Sequence, residues 1–189
     1  YVVEIETASL TTGTYTLTIT LSATNYAVGS VTIQVTVEER GTTVSVQPSS
    51  LSVTWLENGT VKVNYLDNET GTGIANAAVT VDWSGSSSYQ DLNNGTYIVE
   101  ISTKGVDVGT YSLIIRIDKT NYAAKSITIK VTVEERPTQI EVLDPSSLRL
   151  SVTWLENGTV RVEYRDANGT GIPEATVTVT WSDLWTSYD

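Results

Sequence analysis

Ser-Val-Thr-Trp-Leu-Glu-Asn-Gly-Thr occupies residues 52–60 and returns, identical in all nine positions, at residues 151–159. Because nine identical residues recur 99 positions apart, we infer an internal repeat with the length of about one small domain. Apolar and polar residues alternate on both sides of Asn58 and Gly59, which predicts two half-buried strands. Asn-Gly is the strongest short-range signal for a type I′ turn, so this stretch predicts a β-hairpin.

The repeat extends along the whole chain. Further stretches recur 96 positions later: residues 1–5 at 97–101, residues 13–15 at 109–111, residues 24–26 at 120–122, and residues 35–40 at 131–136. We therefore predict three segments. Residues 1–40 form the C-terminal half of one repeat, residues 41–136 form a complete repeat, and residues 137–189 form the N-terminal half of another.

The two half-repeats are complementary, because residues 137–189 and residues 1–40 together supply nearly one full repeat. Neither half can bury its apolar face alone. We expect the half at 137–189 to be completed by a 1–40 segment of a neighbouring unit. Two arrangements remain open. Either the chain is a window of a longer repeat array, or the halves of neighbouring molecules complement one another noncovalently.

Composition excludes several classes of function. The 189 residues carry a formal charge of −11 and include no Cys, Met, His or Phe. Such acidity argues against a nucleic-acid partner, because phosphates require a Lys/Arg surface. Without His or Cys the nucleophile–base pairs of most hydrolases are missing, so we expect no enzyme. No apolar run approaches the length of a membrane span, so no membrane insertion is expected in this segment.

Thr and Ser alternate with Val and Ile along many short stretches, which is typical of strands with one wet face. In residues 1–40 we predict three strands, the first at residues 1–5. In the complete repeat we predict strands near residues 42–47, 51–56, 60–66, 78–84, 96–103, 110–120 and 126–134. Short strands separated by Gly, Asn and Ser predict an antiparallel sandwich. Strand alternation places Val79, Val81 and Trp83 on one buried face.

Several stretches resemble prokaryotic immunoglobulin-like repeat domains. Residues 71–81 and 169–177 resemble the G-x-P-I-x-G-A-x-V signature of these bacterial and archaeal domains, although Ala77 and Glu174 depart from it. Residues 94–97 and 108–113 resemble the NGTYT and PGTYTLTI stretches of the same families, and Tyr111 resembles the tyrosine corner, in which the phenol bonds back to nearby backbone. The resemblance implies an all-β fold of tandem immunoglobulin-like antiparallel β-sandwiches, located extracellularly at a cell surface.

The leading functional hypothesis is a structural extracellular protein whose repeats form a cell-surface filament or stalk. Its partner would be itself, head to tail, through completion of the half-domains. The alternative is an adhesin or S-layer binding module that recognises carbohydrate or a surface protein. A groove lined by aromatic residues in one unit would favour binding, whereas equivalent residues in every unit favour a scaffold, and the second pattern dominates.

Asn-X-Ser/Thr sequons make up the first class of candidate sites. They predict N-linked glycans at Asn58, Asn68, Asn94, Asn157 and Asn168. The alternative is that Asn-Gly is ordinary turn chemistry in a Thr-rich chain. No cofactor is expected. Calcium is a weak hypothesis at Asp67, Glu69 and Asp166, because Ca²⁺ requires six or more oxygen ligands and an acidic turn explains these residues.

The last class of candidates concerns contacts between units. Glu38 and Glu39 could share an interdomain calcium with a neighbour, but Arg40 beside them favours a solvated or salt-bridged linker. Trp185, Tyr188, Ile114 and Tyr1 are candidate interface residues. The alternative for each of the four is a local core position or a lone exposed apolar side chain.

Overall fold

The computed structural model describes residues 1–180 and divides the chain into two compact units, Tyr1–Glu134 and Glu135–Asp189. The described residues form strands and turns, and they include no helix capable of crossing a membrane. The first unit contains β1 (Gly13–Leu21), β2 (Gly29–Val37), β3 (Thr42–Gln47), β4 (Ser50–Thr54), β5 (Asn58–Asp67), β6 (Ala78–Asp82), β7 (Ser87–Asp91), β8 (Thr96–Ser102), β9 (Gly109–Lys119) and β10 (Tyr122–Glu134). The second contains β11 (Thr138–Asp144) and β12 (Arg161–Asp166).

Strands β3 to β10 form a complete sandwich. One sheet has the order β3-β5-β8-β7 and the other has the order β4-β10-β9-β6. All neighbours in these sheets are antiparallel except β4 and β10, which are parallel. The predicted all-β, immunoglobulin-like sandwich is therefore confirmed. The sequence predicts every strand of this sandwich except β7, whose residues Ser87–Asp91 lack apolar alternation.

The core lies between the two sheets. Its largest fully buried side chains are Tyr65, Tyr97, Ile101, Leu113, Ile115, Ile117 and Ile129. Trp83 is buried as predicted, and its indole N–H donates to the carbonyl of Ser102 at 2.9 Å. Its ring meets that of Tyr111 edge to face, with centroids 5.9 Å apart. The tyrosine corner is also confirmed, because the Tyr111 hydroxyl donates to the carbonyl of Asp107 at 2.9 Å.

The predicted β-hairpin at residues 52–60 is wrong. Strand β4 belongs to one sheet and β5 to the other, so the stretch crosses the sandwich instead of turning back on itself. The left-handed backbone falls at Leu56, with φ of 69°, and not at Asn58 or Gly59, which lie inside β5. Gly59 allows the two sheets to pack closely, because a Cβ on it would lie only 2.6 Å from Cγ2 of Val53 in the opposite sheet.

The half-repeats form fewer strands than the sequence predicts. Strands β1 and β2 pair over nine residues, but the predicted first strand at residues 1–5 is absent. Its counterpart in the complete repeat, β8, is held between β5 and β7. In the second unit β11 pairs with β12, and residues 149–153 and 176–180, the counterparts of β4 and β6, form no strand. A strand needs neighbours, and these segments pair with none among the described residues of their unit.

A close backbone approach in the complete sandwich predicts a sensitive position. A Cβ on Gly73 would lie 1.8 Å from the carbonyl oxygen of Asn94, whereas a Cβ on its counterpart Gly171 meets nothing within 4 Å. We expect Gly73→Ala to lower the free energy of unfolding of the sandwich by about 3 kcal/mol, because backbone cannot move aside cheaply. Gly171→Ala is the matched control. Urea denaturation followed by circular dichroism measures both, and equal effects of the two substitutions would contradict the prediction.

Candidate functional site

The half-sandwich of β11 and β12 exposes side chains that the complete repeat buries. Val162 and Tyr164 are 42% and 37% exposed, whereas their counterparts Val63 and Tyr65 are 0% exposed. An open groove of about 600 Å³ runs beside them. It is lined mainly by apolar side chains, including Ile140, Ile172 and Val177. The described residues of the second unit therefore present an exposed inner sheet face.

The half-sandwich of β1 and β2 is uncovered in the same way. Ile33 is 42% exposed, whereas its counterpart Ile129 is 0% exposed in the complete repeat. Tyr1, a predicted interface residue, is fully exposed. Residues 1–40 and 137–180 thus expose the two kinds of inner face that meet in a whole sandwich. Apolar faces of this kind mark interaction sites in soluble proteins.

A charged joint connects the first half-sandwich to the complete one. Arg40 donates through Nε to Oδ2 of Asp67 at 2.6 Å and through Nη2 to Glu69 at 3.0 Å. Asp67 is only 4% exposed, and its other oxygen accepts the backbone N–H groups of Glu69 and Thr70. The hydrogen bond from Arg40, with help from these amides, lowers the pKa of the Asp67 carboxyl to about 2, although burial opposes the shift.

The same ion pair recurs at the start of the second unit. Arg136 donates through Nε to Oδ2 of Asp166 at 2.8 Å. Backbone N–H groups, led by that of Thr170, lower the pKa of Asp166 together with Arg136. The carboxylates of Asp67, Glu69 and Asp166, named above as calcium candidates, all accept hydrogen bonds from arginine or backbone amides. No cluster of three metal-ligating side chains occurs among the residues that the structure describes.

Asn121 binds the first half-sandwich to the complete one through hydrogen bonds that the sequence pattern does not predict. Its Oδ1 accepts the N–H of Thr12 at 3.0 Å, and its Nδ2 donates to the carbonyl of Leu10 at 3.3 Å. Its carbonyl accepts the N–H of Arg40, and the carbonyl of Arg40 accepts the N–H of Ala123, both at 2.9 Å. The recurrence of Thr-Asn-Tyr at residues 24–26 and 120–122 was the available signal for this contact.

All five sequon asparagines are exposed, but their surroundings differ. Asn58 lies in the paired strand β5, and its Nδ2 donates to Glu100 at 2.8 Å. Asn68 accepts a hydrogen bond from the Thr43 hydroxyl. Asn94 lies in the turn before β8, where its Oδ1 accepts the N–H of Thr96 at 3.0 Å. Asn157 and Asn168 lie outside the strands of the second unit.

The remaining interface candidates are separated in the structure. Ile114 is half-buried on β9, opposite Asp82 of β6 and Thr128 of β10. Tyr1 is fully exposed and lies outside the strands. Trp185 and Tyr188 lie outside the described residues, so the structure does not bear on their predicted contacts.

No protein-family model and no curated protein matches the chain. Among solved structures, domains 1–6 of the surface layer protein SbsC align at 23% identity over 85% of this chain, with a TM-score of 0.39. Invasin, a bacterial integrin-binding protein, aligns at 20% identity over 88% of this chain and 34% of its own, with a TM-score of 0.37. A titin M10–obscurin-like 1 Ig complex aligns at 13% identity over 53% of this chain and 91% of its own, with a TM-score of 0.33. The chain spans 20% of the SbsC chain.

The Arg40–Asp67 pair predicts a pH-dependent part of the stability. The pKa of Asp67 is about 2 in the folded chain against an ordinary value of 3.8. Ionised Asp67 therefore favours folding, fully above about pH 5 and progressively less as the pH falls through about 2. We expect Asp67→Asn to lower the free energy of unfolding by a constant amount at neutral pH and by less in acid. Urea denaturation across this range measures the difference.

The control for this titration is Thr80→Ser, a neutral change on the exposed face of β6. Its effect should be the same at every pH. If the difference in the free energy of unfolding between wild type and Asp67→Asn stayed constant down to about pH 2, ionised Asp67 would not be the stabilising group.

Proposed function

We propose that the chain is a structural segment of an extracellular repeat protein, whose immunoglobulin-like sandwiches join end to end into a cell-surface filament or stalk. The role is mechanical and involves no catalysis. The open half-sandwiches are completed head to tail, with residues 1–40 of a second copy completing the half-repeat at residues 137–189. One observation carries the proposal: Val162, Tyr164 and Ile33 are exposed where their counterparts Val63, Tyr65 and Ile129 are fully buried.

The complete repeat supplies the register for this completion. Strand β5 pairs with β8 so that Val61 lies opposite Val99 and Val63 opposite Tyr97. Transferred to the half-repeats, this register places Val160 opposite Val3 of the second copy and Val162 opposite its Tyr1. Such pairing would convert exposed apolar side chains into a shared core, and each buried Val or Leu contributes about 1.5–3 kcal/mol.

The joint at Arg40 supports a stiff rod. A flexible linker would leave its backbone groups to water, whereas the N–H and C=O of Arg40 both bond to the hairpin of β9 and β10. The side chain of Arg40 also holds Asp67 of the complete repeat. Because Arg136 and Asp166 repeat this pair, each sandwich would start from the same anchored position.

A cysteine cross-link tests the proposed completion, and the natural chain has no cysteine to interfere. Thr60 lies opposite Glu100 in the complete repeat, and their counterparts are Thr159 and Glu4. We expect a chain carrying both Glu4→Cys and Thr159→Cys to form a ladder of disulfide-linked multimers on mild oxidation, because opposed residues lie about 5 Å apart between Cβ atoms. Denaturing electrophoresis without reductant measures the ladder.

The matched control is Glu6→Cys with Thr159→Cys, which shifts one cysteine by two residues on the same face. That diagonal pair would lie about 7–8 Å apart and should cross-link poorly. Equal ladders from both double variants, or none from either, would overturn head-to-tail completion in this register.

We further propose N-linked glycans on the exposed sequons, and the surroundings of two of them support a difference in occupancy. Asn94 lies in a turn, whereas Asn58 lies in a paired strand with its Nδ2 donated to Glu100. Since the glycan is attached to Nδ2, we expect higher occupancy at Asn94 than at Asn58 in material from the native cell. Glycopeptide mass spectrometry measures both sites, with Asn94→Gln as the control. Glycan found at Asn58 but not at Asn94 would contradict this ranking.

A further inference from the structure

We propose that the turn at residues 24–26 of a second copy docks on residues 106–108 of this chain, with Asn25 as the residue that fixes successive repeats against each other. The docking would use two hydrogen bonds: Val106 C=O accepting from Nδ2 of Asn25, and Val108 N–H donating to its Oδ1. This inference rests on the proposed head-to-tail function and adds an interaction surface that completion of the core does not require.

The chain already contains one example of this contact. Asn121 accepts from Thr12 N–H at 3.0 Å and donates to Leu10 C=O at 3.3 Å. A carboxamide is suited to this task because one side chain supplies both an acceptor and donors. The backbone of Asn121 is left-handed, with φ of 71°, a conformation that Asn tolerates better than most residues.

The receiving loop has a counterpart with the same internal bonds. In the first half-sandwich, Leu10 N–H bonds to Thr7 C=O at 2.9 Å, and in the complete repeat Val106 N–H bonds to Thr103 C=O at 3.0 Å. The tyrosine corner also recurs, since the Tyr15 hydroxyl donates to Thr11 C=O just as that of Tyr111 donates to Asp107 C=O. Residues 106–108 are therefore fixed by the same internal hydrogen bonds as residues 10–12.

The inserting turn is likewise preserved. Asn25 has φ of 67°, close to that of Asn121, and the turn is closed by Tyr26 N–H bonding to Ala23 C=O at 3.1 Å. Tyr26 is 78% exposed, whereas its counterpart Tyr122 is half-buried against the core cluster. Docking would give Asn25 the partners that Asn121 has.

Chain order identifies the occupant as a second copy. In the contact within this chain, the receiving loop at residues 10–12 belongs to one repeat, and Asn121 belongs to the repeat that follows it. The complete repeat is followed by residues 137–189, whose missing half is a 1–40 segment under the proposed function. The asparagine that follows Val106 and Val108 along the rod is therefore Asn25 of that segment.

Amide hydrogen exchange on cross-linked chains tests this docking separately from completion. The chain with Glu4→Cys and Thr159→Cys is measured reduced and dilute, and then as oxidised multimers. We expect exchange of the Val108 amide to slow by about 10-fold or more in the multimers. The Thr12 amide is the internal reference, because its bond to Asn121 lies within one chain and should protect it in both states.

Asn25→Gly in the same background keeps the left-handed turn but removes the carboxamide. It should abolish the added protection of Val108 while leaving the cross-linked ladder in place. A ladder without added protection of Val108, or protection that survives Asn25→Gly, overturns the docking and leaves the proposed function standing. Absence of the ladder overturns the proposed completion and the docking with it.

Discussion

An apolar sheet face is stable in water only when a second sheet covers it. This constraint explains which sheets form and which side chains are buried in the described part of the chain. Where two four-stranded sheets face each other, Val63 and Tyr65 are fully buried. In the half-repeats, where the opposing sheet is missing, the same residue types are exposed and each sheet is reduced to two strands. The half-repeats therefore lack both the opposing sheet and part of the strand pairing, although their local sequences are nearly the same as in the complete repeat.

Strand positions in the complete repeat could be predicted because period-2 alternation reports directly which face is buried. The connection between β4 and β5 could not, since an apolar pattern interrupted by Asn-Gly fits both a hairpin and a crossing between sheets. What distinguishes the two is a contact across the core, where Val53 approaches the backbone of Gly59 too closely for a Cβ. Strand β7 could not be predicted because its residues lack the apolar–polar alternation of a half-buried strand.

The exposed apolar faces of the candidate site could be anticipated from the repeat register, since the sequence count predicts that each terminal segment is half a repeat. The asparagine contact could not be assigned in this way. Asn121 satisfies the local rule for a left-handed turn, and that rule alone explains its presence. Its second role depends on Thr12, which lies 109 positions away in the chain. Because the left-handed turn already explains Asn121, the local sequence gives no separate signal for its contact with Thr12.

If the complete repeat is pulled along the chain, the parallel pairing of β4 with β10 would oppose its extension. Its five residue pairs run from Ser50 opposite Lys130 to Thr54 opposite Glu134. Tension that enters through β3 and reaches β4 draws β4 and β10 in opposite directions, so this pair would be loaded in shear. All the hydrogen bonds of the pair must then give way together, whereas strands peeled apart from one end lose theirs one at a time. Under the proposed role, this pairing would help each repeat to resist a pull along the rod.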